Sequence, residues 1–155
     1  MFDFSDSLSD GKDKADELLS LKEGFNSVFS TLQENLSSFI ERDVKLEHYH
    51  EVEGGDLSPF MAATVQIGML YGNNKDIKKR TGYFEVRLTE KGSDNPYKVL
   101  FKYKESSNVY PINIVFQRNE MVCSNQVELI DVMKEIVSSG HFNLRIREFV
   151  DALNK

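Results

Sequence analysis

The stretch Tyr97–Phe116, YKVLFKYKESSNVYPINIVF, holds two alternating runs joined by a short polar connector. In the first, Tyr97, Val99, Phe101 and Tyr103 share one face, and Lys98, Leu100, Lys102 and Lys104 share the other. In the second, Tyr110, Ile112, Ile114 and Phe116 alternate with Pro111, Asn113 and Val115. A period of two puts successive side chains on opposite sides of a strand. The connector Glu105-Ser106-Ser107-Asn108 is too short for a crossover, so the two strands must run antiparallel. Pro111 has no N–H to give a ladder, which argues for an edge strand or one that begins with a bulge.

The same pattern extends outward. Tyr83–Thr89 buries Phe84, Val86 and Leu88, and Gly92-Ser93-Asp94-Asn95-Pro96 supplies a turn-rich link to Tyr97. Upstream, VKLEHYHEV (residues 44–52) sets Val44, Leu46, His48, His50 and Val52 against Lys45, Glu47, Tyr49 and Glu51. Gly54-Gly55-Asp56 ends that run, and Phe60–Tyr71 reads as a further strand with Met61, Val65, Ile67 and Met69 on one face. Met121–Cys123 reads as a short additional strand.

Helical spacing brackets these strands. From Asp16 to about Glu41, Leu18, Leu21, Phe25, Val28, Leu32, Leu36 and Phe39 recur every three or four residues, with Phe29 and Ile40 widening the stripe. So wide a stripe suits a helix laid across a sheet better than a coiled-coil seam. Gly24 weakens that helix by about 1 kcal/mol relative to Ala and marks a close approach or a bend. Asn125 followed by Glu128 resembles a capping box and opens a helix to about Ser138, with Val127, Ile130, Met133, Ile136 and Val137 inward and Gly140 as its C-cap. Phe142–Leu153 fits both periods; a helix capped by Asn143 is preferred. The expected fold is α+β: an N-terminal helix, an antiparallel meander of about five strands, and one or two C-terminal helices packed on one face. Residues 1–13 are Ser- and Asp-rich and read as a flexible acidic tail ahead of a single domain, residues 14–155.

Composition narrows the class. The chain has 155 residues, 40% of them hydrophobic, with 11 Phe and 6 Tyr to fill a core. One cysteine, Cys123, excludes an internal disulfide framework. The start lacks a signal-peptide pattern, and no apolar run nears the roughly 20 residues of a membrane span. The expectation is a cytoplasmic protein without a membrane partner.

Charge is segregated along the chain. Residues 1–56 carry 14 Asp/Glu against 5 Lys/Arg, whereas residues 75–104 carry 9 Lys/Arg against 4 Asp/Glu. Lys78, Lys79, Arg80, Arg87, Lys98 and Lys102 are the candidate binding residues of a basic sheet face. Such asymmetry steers encounter and sets salt dependence without naming the partner.

No catalytic constellation stands out. His48 and His50 point the same way from a strand and form a polar or metal-ligating pair, but no neighbouring residue completes a zinc set. Two histidines at a sheet mouth is the favoured reading, with no metal and no cofactor. Cys123 has no flanking base and reads as a buried core thiol rather than a nucleophile. No Gly-rich phosphate loop or nucleophile elbow occurs. The reading that remains is a non-enzymatic protein-binding module: an adaptor, a chaperone or an immunity-type inhibitor. A ligand-binding or enzymatic cavity between the first helix and the sheet is the alternative. Nucleic-acid binding through the basic face is third, disfavoured by the acidic pI of about 5.1. A homodimer is open.

Overall fold

The computed structural model describes residues 1–54 and 79–155. Helix α1 (Ser5–Ile40) leads into strands β1 (Val44–Val52), β2 (Arg80–Glu90), β3 (Tyr97–Ser106), β4 (Val109–Phe116) and β5 (Asn119–Cys123), followed by α2 (Gln126–Val137) and α3 (Gly140–Leu153). The sheet order is β1-β2-β3-β4-β5, with every neighbouring pair antiparallel. This is the expected α+β meander with helices at both ends. The expected strand Phe60–Tyr71 lies outside the described residues; the fifth strand here is the short one around Met121–Cys123.

Aromatic bulk holds the layers together. Phe25, Phe29 and Leu36 of α1 are buried against Val86, Leu88, Phe101 and Tyr103 of the sheet. The Phe25 and Phe29 rings stand 5.3 and 5.5 Å from Tyr103, within the range of favourable tilted pairs. Leu129, Met133 and Ile136 of α2 and Phe142, Ile146 and Phe149 of α3 complete the core. Cys123 is fully buried there, and burial pushes its thiol up to about 11, with Glu128 adding to the effect.

Several local expectations change. Helix α1 begins at Ser5 rather than near Asp16, so it runs through the stretch expected as a tail, and its side chains up to Glu17 are exposed. Phe39 and Val127, expected inward, face solvent, and Leu129 takes the core position on α2. Asn125 does cap α2, its Oδ1 accepting from the Glu128 N–H at 2.9 Å, but the Glu128 carboxylate turns to the Ser124 N–H. Gly140 begins α3 instead of ending α2, and Ser139, not Asn143, caps α3 by accepting from the Phe142 N–H. Asn143 bonds back to the Val137 and Ser139 carbonyls. Pro111 lies in an interior strand, reconciled by the register shift between Lys104 and Ser106 where β3 meets the start of β4. Gly24 is a close approach: a Cβ there would stand 2.8 Å from Gln126 Oε1 on α2.

Candidate functional site: a basic cleft at the exposed edge of the third strand

One bulge decides where the cations go. Val86 pairs with Phe101 but Arg87 pairs with Val99, so Leu100 is the extra residue of β3. Leu100 and Phe101 are both buried, and the alternation changes phase between them. Beyond the bulge Phe101 and Tyr103 face the helices while Lys102 and Lys104 face outward. Before it, Lys98 lies opposite the buried Leu88 and reaches the helix side, where it pairs with Glu148 of α3. The expected single basic face is therefore divided.

The remaining candidates fall in two places. Arg87 lies on the outer face, bonded to Glu85 at 2.8 Å, with its guanidinium 4.4 and 4.5 Å from the Tyr49 and Tyr97 ring centres. Lys102 pairs with Glu51 on that same face. Lys79 and Arg80 are exposed at the start of β2, where the Lys79 carbonyl accepts from the Glu53 N–H. Lys78 lies outside the described residues.

His48 and His50 share one face of β1, as expected, but each packs on a different ring. His48 packs its ring 4.8 Å from Phe29, edge-on, and its Nδ1 lies 2.5 Å from the Tyr103 hydroxyl, although part of the ring stays exposed. Burial lowers its pKa, Lys22 lowers it further, and Glu105 opposes them. The same burial holds the Tyr103 hydroxyl well above its ordinary range. His50 stacks on Phe84 at 4.4 Å. Among the described residues no three His, Cys, Asp or Glu gather as a metal site. Where a cavity between α1 and the sheet was the alternative, Phe25, Phe29, Phe101 and Tyr103 are buried among the described residues, and a rim groove of about 230 Å³ opens beside Phe29 and His48.

The larger cleft lies elsewhere. Strands β4 and β5 turn back through Gln117 and Arg118, and the last described pairing of β3 with β4 is Lys102 to Val115. Tyr97–Phe101 thus overhangs the hairpin tip, with no strand beside it on that edge among the described residues. The space there is about 680 Å³. Its lining includes Lys98, Lys102, Arg118 and Arg145 with the half-buried Tyr97, Val99 and Val115, backed by the buried Phe101 and Phe116, and no Asp or Glu is among its lining residues.

Arg145 of α3 occupies the heart of this arrangement. Its Nη1 donates to the Val99 carbonyl at 3.1 Å and to that of Leu100, and its guanidinium stands 5.2 Å from the Phe116 ring. These bonds satisfy two strand carbonyls beside the bulge. Desolvation lowers the Arg145 pKa, partly opposed by Glu148, but a guanidinium remains charged. Arg118 has no ion-pair partner among the described residues. It sits in a two-residue hairpin turn with φ of 65°, after Gln117 at 53°. Such turns favour Asn-Gly, because a side chain in the left-handed region costs roughly 1–2 kcal/mol.

Neither Arg118 nor Arg145 emerged from the sequence. Arg118 belongs to a Gln-Arg pair between two strands, with no turn-former to flag it, and Arg145 reaches the sheet only because α3 crosses it. The contrast between an acidic start and a basic centre was visible; the cleft was not. No protein-family model, curated protein or solved structure matches this chain.

Proposed function

We propose that the chain is a non-enzymatic protein-binding module, of the adaptor, chaperone or inhibitor kind, that recognises its partner through charge-segregated surfaces. The observation that carries this reading is the cleft at the β3 edge, lined by four cations together with apolar side chains and by no carboxylate. Interfaces draw affinity from apolar contact and desolvated Arg or aromatic anchors, and encounter rate and selectivity from charge. Tyr97, Val99 and Val115, half-buried, offer the first, and Arg118, Arg145, Lys98 and Lys102 the second. Arg87, bonded to Glu85, lies apart on the outer face, and Lys79 and Arg80 are exposed at the start of β2. The exposed first turns of α1 carry the opposite sign, with Asp3, Asp6, Asp10, Asp13, Asp16 and Glu17 against Lys12 and Lys14.

Affinity capture from native lysate at low and at high salt tests this function. The expected result is a protein retained at low salt and released as salt rises. Recovery of only a nucleic acid or a small molecule would contradict it.

A further inference from the structure

We infer that the cleft receives an extended, acidic segment of the partner protein, whose carboxylates are held by Arg118 and Arg145. This rests on the protein-binding reading and names its partner chemistry. The argument starts from which cations have carboxylates already. Lys98 is paired with Glu148 and Lys102 with Glu51. Arg118 and Arg145 have no carboxylate at ion-pair distance among the described residues, and both line the cleft. A guanidinium binds a carboxylate through two parallel N–H donors, which fixes direction as well as charge.

The shape of the cleft favours an extended chain. It follows the overhanging edge of β3, with the half-buried Val99 and Val115 among its lining residues. A peptide lying along a strand edge presents alternate side chains to opposite sides. Acidic residues beside the arginines and apolar residues beside Val99 and Val115 therefore suit it. Because Arg145 already holds the Val99 and Leu100 carbonyls, recognition falls to side chains more than to new ladder bonds.

A polyphosphate fits less well. With Glu51 and Glu148 counted, the four cations leave a local charge of only about two, far from the strongly basic footprint typical of nucleic-acid binding. The turn itself supplies an independent pointer. Gln117 and Arg118 occupy left-handed positions where Asn-Gly would be less strained, and such a local cost is consistent with a use for the Arg118 side chain.

The test uses the full chain and a short fluorescein-labelled peptide alternating Glu and Val, followed by fluorescence anisotropy. The same peptide with Gln for Glu, and an oligo(dT) strand, serve as comparators. The Glu peptide is expected to bind more tightly than either. Arg118→Gly is expected to weaken it about tenfold or more, the loss of a charge-assisted contact, while raising Tm because glycine relaxes the turn. Equal binding of the Gln peptide, tighter binding of oligo(dT), or unchanged affinity in Arg118→Gly would each overturn the inference. If Arg118→Gly still captures the wild-type partner from lysate, this use of the cleft is wrong while the protein-binding function stands.

Discussion

Two residues in the hairpin tip and one histidine show how local chemistry is weighed against stability. Gln117 and Arg118 hold φ of 53° and 65° without being Gly, Asn or Asp. Gln117→Asn keeps the arginine and should stabilise the fold by about 0.5–1 kcal/mol, since Asn tolerates the left-handed region better; urea denaturation would measure it. His48 gives a pH effect with a definite sign. Burial beside Phe29 and Tyr103, together with Lys22, depresses its folded-state pKa, and Glu105 only partly opposes this. The unfolded chain then binds the proton more readily, so this contribution to stability is complete above about pH 6.5 and falls as pH drops through the lowered value. Wild type minus His48→Gln, followed by thermal melts across that range, should show the decline, because other titrations cancel in the difference. A flat difference would assign the ring no such role.

At the scale of elements, the sequence disclosed type and order far better than phase and ends. The alternation of Tyr97–Phe116 and the three-four spacing of Leu18–Ile40 gave the meander and the long helix, because burial of one face leaves a periodic trace. The bulge at Leu100 left a weak trace, one apolar residue among Lys98, Lys102 and Lys104, and cross-strand pairing is what reveals the extra residue. That residue sends Lys98 to the helix side, which is why the expected basic face came apart. The start of α1 was missed for another reason. Its first turns are exposed, so no apolar period betrays them. Removal of residues 1–16 should accordingly shift stability by less than about 0.5 kcal/mol, as read from the urea midpoint. Asn125→Ala, by contrast, should cost about 1 kcal/mol through the lost bond to the Glu128 N–H.

Over the whole molecule, helices from both ends of the chain cover one side of the sheet, and charge separates along its length. Helix α1 is 36 residues, about 54 Å at 1.5 Å per residue, so its acidic amino-terminal part runs past the packed core. The cationic cleft forms where α3 meets the β3 overhang, joining residues separated by 47 positions between Lys98 and Arg145. Sequence reading located the sign of the centre and missed the arginines that organise it, because their convergence is a product of packing. Hydrogen exchange of the full chain, alone and with its captured protein bound, tests the central claim most directly. The account predicts slowed exchange concentrated at Tyr97–Lys102 and around Gln117–Arg118; protection that spares both segments would contradict it.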